Sequence, residues 1–122
     1  MNQSIKGLSA AASIERLIEG NKRFIQGLKS IESITSTAKR EDLADNGQTP
    51  FCIVVTCCDS RVPAEMIFDC SLGDLYVIRI AGNVISSDLI ASIEYAAAQL
   101  SPSLCLVMGH TKCGAVGTAL DY

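Results

Sequence analysis

The 122-residue sequence has no tryptophan, a single histidine, three prolines and only six aromatic residues counted as three Phe and three Tyr. It has no apolar run near the ~20 residues that a membrane-spanning helix needs. Near the N-terminus Lys6 precedes Leu8, Ala10, Ala11 and Ala12, but no long apolar segment of the secretory type follows. The expectation is a cytoplasmic protein with no membrane partner. Positive charge is also scarce, with 10 Lys and Arg against 13 Asp and Glu, a net charge of -3 and a pI near 5.0. That balance removes nucleic acid as an expected partner, while a local anion site stays compatible with it. Internal repeats and low-complexity tracts are absent. Without an export signal, the six cysteines (Cys52, Cys57, Cys58, Cys70, Cys105 and Cys113) read as thiols rather than as a disulfide framework. Cys52 and Cys105 lie in apolar runs, where a free thiol acts as a small hydrophobe. Cys70 has no partner residue near it in the sequence and reads as structural.

What is present suits one globular domain: 48% hydrophobic and 19% charged residues. Residues 1–49 read as an N-terminal helix and a connecting arm, and residues 50–122 as the core. Ile14, Leu17, Ile18, Phe24 and Ile25 recur at helical spacing, opposite Glu15, Arg16, Glu19, Lys22 and Arg23. This predicts an amphipathic helix over 13–26, stopped at Gly27. The polar arm over 28–49 leaves room for a short helix near 39–44. From Pro50 the pattern changes. The runs 51–56, 75–80 and 104–108 are continuous and apolar, as in strands buried on both faces. Between them fall a loop with a short helix over 63–69, turn chemistry at Ala81, Gly82 and Asn83, and a helix capped by Ser86 or Ser87. The buried face of that helix is expected to be Leu89, Ile93, Ala96, Ala97 and Leu100, and Pro102 stops it. Another helix begins at Gly114. Alternation of strand and helix predicts an α/β fold with a parallel sheet flanked by helices. With the first strand between the other two, the ends of strands one and three lie side by side, where such sheets bind ligands.

Cys57 falls at the carboxyl end of the first strand, and His110 and Cys113 just beyond the third. Two thiolates and an imidazole suit zinc, and a three-residue donor set leaves a fourth position for water, as catalytic sites do. Cys57 and Cys113 read equally as buried thiols on their own; the single histidine and the shared strand ends favour a metal. Neighbours in extended chain face opposite ways, so Cys58 is assigned to packing or support. Asp59, two residues past Cys57, is within reach of Arg61, which can hold it through a bidentate, charge-assisted bond. So held, Asp59 can orient a water on the metal; released, it can close the fourth position itself.

These residues resemble the β-class carbonic anhydrases. Cys57-Cys58-Asp59-Ser60-Arg61 matches that family's Cys-x-Asp-Ser-Arg motif, and His110-Thr111-Lys112-Cys113-Gly114 its His-x-x-Cys-Gly motif. Asp74 to Arg79 with Ala81-Gly82-Asn83, Ser92 to Ala96, and Arg16 to Phe24 are similar to further family segments. The resemblance implies one Zn²⁺ per chain on Cys57, His110 and Cys113. It implies a catalytic pair of Asp59 and Arg61, with Asp59 a fourth ligand in a closed form. The implied reaction is reversible hydration of carbon dioxide to bicarbonate and a proton, in a homodimer or an assembly of dimers. Two thiolates cancel the metal's charge, so activity is expected to favour alkaline pH. Family members continue well past the second motif, whereas this sequence stops at Tyr122. The reading is therefore of a chain lacking the family's C-terminal part, with an exposed third strand, poor solubility and reduced activity. The alternatives are a zinc-binding but inactive homologue, or a hydrolase of carbon disulfide or carbonyl sulfide on the same scaffold. With no tryptophan, the bicarbonate effector pocket that some members build around that residue is not expected.

Overall fold

The computed structural model describes residues 7–28 and 32–122; residues 29–31 of the expected arm, and Lys6, lie outside them. The helices are α1 (Ala10–Ile25), α2 (Glu32–Thr35), α3 (Thr37–Asn46), α4 (Ala64–Ile67), α5 (Ser87–Gln99) and α6 (Gly114–Leu120). The strands are β1 (Cys52–Thr56), β2 (Leu75–Arg79) and β3 (Leu104–Val107). A 3₁₀ turn spans Ala81–Asn83. Among the described residues no helix is long and apolar enough to cross a membrane.

The apolar runs of the sequence become a three-stranded parallel sheet of order β2-β1-β3. β1 is central, and all five of its residues are buried, which is why its run shows no polar alternation. Cys52 pairs with Leu75 on one side and Leu104 on the other. One face, carrying Cys52 and Val54, packs on Leu17, Ala64, Phe68 and Cys70. The other, carrying Ile53 and Val55, packs on Leu89 and Ala96 of α5. Helices thus cover both faces, as the strand–helix alternation requires.

α1 starts three residues earlier than expected because the Ser9 hydroxyl accepts the Ala12 N–H at 3.1 Å, capping the helix before the Ala run. It stops where expected, with Gly27 at φ +74°. Its buried stripe is Ser13, Leu17 and Gly20, while Ile14, Ile18 and Ile25 are exposed. The helix lies so close to α4 that a Cβ on Gly20 would overlap the Phe68 carbonyl oxygen. Polar contacts fix its angle: Arg16 lies over the Phe51 ring and donates to buried Asp74, and Asn21 donates to the Ile67 carbonyl at 3.0 Å. In α5, Leu89 and Ala96 are buried, Ile93 half-buried and Ala97 exposed, and Leu100, which caps the helix, is half-buried. The short helix expected near 39–44 is the core of α3.

Candidate metal centre

At the carboxyl end of the sheet β1 stops at Thr56, and the chain turns away with Cys57 buried. β3 stops at Val107, and the chain loops through His110 to Cys113, which leads into α6. Since β1 and β3 are hydrogen-bonded parallel neighbours, both loops leave the sheet side by side at its carboxyl end. The donor atoms of Cys57, His110 and Cys113 consequently lie within 4.8 Å of one another. They are residues that sequence analysis placed together, and they are the metal-competent cluster among the described residues.

The two Sγ atoms are 3.9 Å apart. Two thiolates at the usual zinc–sulfur length of about 2.3 Å, at tetrahedral angles, sit about 3.8 Å apart. His110 Nδ1 lies 2.9 Å from the Thr111 carbonyl oxygen, which fixes it as the protonated nitrogen. Nε2 is then the lone-pair nitrogen; it is buried and has no hydrogen-bond partner. An orphaned buried acceptor beside two thiols spaced for tetrahedral geometry is what a zinc ligand set needs. In the metal-free site the His110 ring, when it takes up a second proton, donates to the Cys57 sulfur and pulls that thiol down to about 6, helped by the Gly82 N–H at 3.4 Å. The facing Cys57 in turn raises His110.

Asp59 stands beside this cluster without joining it. Arg61 holds it in a fork, Nε to Oδ1 at 2.9 Å and Nη2 to Oδ2 at 2.8 Å, and the Arg61 backbone N–H adds a third bond to Oδ1 at 2.9 Å. These bonds hold the Asp59 carboxyl well below the usual carboxylate range. Arg61 Nη2 also donates to the carbonyls of Thr111 and Lys112 at 3.2 and 3.1 Å, joining the two loops. Oδ2 of Asp59 is 4.0 Å from His110 Nδ1. Cys58 is exposed, and Cys70 is buried with its Sγ near the Phe68 carbonyl; neither belongs to the donor cluster.

Sequence reasoning read Ala81, Gly82 and Asn83 as a turn, but gave neither that turn nor Arg79, at the end of β2, a part in the site. Arg79 donates to the carbonyls of Cys57 and Asp59, and Asn83 donates to the Met108 carbonyl at 2.8 Å. The available signal was a lone charge at the carboxyl end of an otherwise apolar strand.

The family model described as carbonic anhydrase matches residues 52–122. "Carbonic anhydrase 2" of Mycobacterium tuberculosis is 48% identical over 109 residues, covering 89% of this chain and 52% of that protein. A carbonic anhydrase of Mycolicibacterium smegmatis is 41% identical over 110 residues, covering 90% and 52%. Among solved structures, the β-carbonic anhydrase CcaA matches with a TM-score of 0.64 at 36% identity, covering 88% of this chain and 53% of that one. One from Sordaria macrospora, described as tetrameric, matches at 0.62 and 30%, covering 90% and 52%. The chain spans about half the length of the curated relatives it matches.

Proposed function

The chain belongs to the β-class carbonic anhydrase family, and from that membership we propose that it catalyses the reversible reaction of carbon dioxide with water to give bicarbonate and a proton. The observation that carries the reading is the convergence of Cys57, His110 Nε2 and Cys113 beside the Asp59–Arg61 fork. Cys57, His110 and Cys113 would hold one zinc ion per chain. Zinc bound there supplies Lewis acidity that makes water a stronger acid, tempered by the charge of two thiolates, which favours activity at alkaline pH.

The protein's own groups do the rest. Thr111 fixes the His110 tautomer, so that Nε2 is presented as a lone pair. Arg61 keeps Asp59 ionised and aimed. Oδ1 accepts two bonds from Arg61 and Oδ2 accepts one. A carboxylate oxygen has two acceptor sites, so Oδ2 retains one for a proton of the reacting water. Asp59 thereby turns the water's oxygen lone pair towards the carbon of CO₂. As the new C–O bond forms, the water's second proton is lost to buffer and bicarbonate departs. While Arg61 holds both oxygens, Asp59 would be kept from acting as a fourth ligand; its release from Arg61 would allow the closed form.

We further propose a homodimer or an assembly of dimers, in line with the tetrameric Sordaria relative. A cytoplasmic location would keep the six unpaired cysteines reduced. The test is a CO₂ hydration assay on purified chain of measured zinc content. The expected result is about one zinc per chain, hydration above the buffer rate, and loss of both in Cys113→Ser. A fully zinc-loaded protein no faster than its His110→Ala variant would overturn the reading.

A further inference from the structure

β2 contributes no metal donor and neither member of the Asp59–Arg61 pair, yet its end and the turn after it hold the backbone of both loops that carry them. Backbone pairing between β1 and β2 finishes at Thr56 with Arg79, and the Ile80 N–H to Thr56 carbonyl bond at 3.0 Å is the last rung. Beyond that rung the chain after β1 is a loop, with no strand partner to hold its carbonyls. The Arg79 guanidinium takes over the ladder. Its Nε donates to the Cys57 carbonyl at 2.9 Å, and its Nη2 donates to the Asp59 carbonyl. One planar group thus grips the backbone of the first candidate ligand and, two residues on, that of the catalytic carboxylate. The segment after Arg79 adds two more grips. The Gly82 N–H points at Cys57 Sγ, and the Asn83 amide holds the Met108 carbonyl at the head of the His110 loop. Both positions have positive φ, +64° and +56°, so the turn is bent sharply enough to face the site.

We propose that Arg79 is a positioning residue for the metal centre. It orients the backbone of 57–59 so that the Cys57 thiolate faces His110 and Cys113 while Asp59 faces Arg61. This inference rests on the reading of the cluster as a zinc site. Arginine is suited to the task because its fork is planar and presents two parallel N–H bonds at fixed spacing. An ammonium on a flexible stem reaches one carbonyl at a time.

The test compares the full 122-residue chain with Arg79→Met and Arg79→Lys in two measurements. The first is backbone amide hydrogen exchange over 57–62 in metal-free protein, which reads the grip itself. It is expected to speed up at least about tenfold in Arg79→Met and less in Arg79→Lys, with exchange over β1 and α1 unchanged. The second is zinc affinity by competition with a chromophoric chelator. It is expected to fall about tenfold to a hundredfold in Arg79→Met, the usual effect of removing a group that orients a ligand, with part recovered in Arg79→Lys. Unchanged exchange over 57–62, or equal zinc affinity in all three proteins, overturns the proposal. Exchange that rises equally over the whole sheet also overturns it, since Arg79 would then support the fold at large. If the parent chain binds no zinc, the metal reading falls, and the exchange measurement still decides whether Arg79 holds the loop. Should Arg79→Met not fold, the Arg79→Lys comparison carries both readouts.

Discussion

Cys52 and Cys70 sit among apolar side chains, and burial pushes their thiols up to about 11 and about 12. Cys57 is pulled the other way, to about 6, and Cys58 and Cys105 are exposed. Thiolate is the reacting form, so alkylation at pH 7.5 should sort these residues. In metal-free protein Cys57 and the exposed Cys58 should label first, Cys105, whose thiol partial burial raises, more slowly, and Cys52 and Cys70 only after unfolding. Added zinc should protect Cys57 and Cys113 while leaving Cys58 reactive. Mass spectrometry of peptides reads each site, and labelling of Cys57 at the same rate with and without zinc would count against its role as a ligand. The Asp59–Arg61 fork gives a second contrast. Asp59→Asn keeps the shape and removes the charge. It should retain zinc and lose hydration activity by about tenfold to a hundredfold. Arg61→Ala removes the fork and frees Asp59 to act as a fourth ligand, so it should keep zinc while losing activity. Loss of zinc in Arg61→Ala would mean that its bonds to Thr111 and Lys112 are what hold the ligand loops together.

Two elements carry features that their own sequences do not announce. Gly20 lies in the middle of α1, where glycine ordinarily costs a helix about 1 kcal/mol relative to alanine. Its place is decided by the Phe68 carbonyl across the interface with α4. Gly20→Ala should therefore destabilise the fold by about 1–3 kcal/mol, as overpacking does, against the gain expected from propensity; urea denaturation measures it. The neighbouring contacts explain why the stripe over Ile14, Ile18 and Ile25 did not become the buried one: a close helix crossing selects Ser13, Leu17 and Gly20 instead. The strands were more legible, because β-branched apolar runs bounded by turns have few other uses in a short chain. Their burial was less so. β3 pairs with β1 on one edge only among the described residues, and Val107 on it is 63% exposed. An open apolar edge templates association. Val107→Lys should lower aggregation, followed by light scattering at matched concentration, without changing the circular dichroism spectrum.

At the scale of the whole molecule, the site was legible because its residue types are few and chemically distinctive. One histidine and a Cys-x-Asp-Ser-Arg run leave little choice of partners. Arg79 was not legible, because its meaning lies in two carbonyls some twenty residues away in sequence that any residue would supply. The same separation has a kinetic side. β1 meets β2 through a loop from Cys52 to Leu75, and meets β3 through a longer one from Cys52 to Leu104. Closing the longer loop costs about 0.7 kcal/mol more chain entropy, which favours docking of β3 after the β1–β2 pair. His110 and Cys113 follow β3, so two of the three donors arrive with the last strand. The complete donor set would then form only after the barrier is passed. Zinc should then slow unfolding strongly in stopped-flow experiments and leave the refolding rate within about twofold, the pattern of contacts absent from the transition state. Refolding that accelerates in step with zinc concentration would show the donors meeting earlier. On this topology a bound ion would govern how long the native state lasts, and the chain alone how fast it is reached.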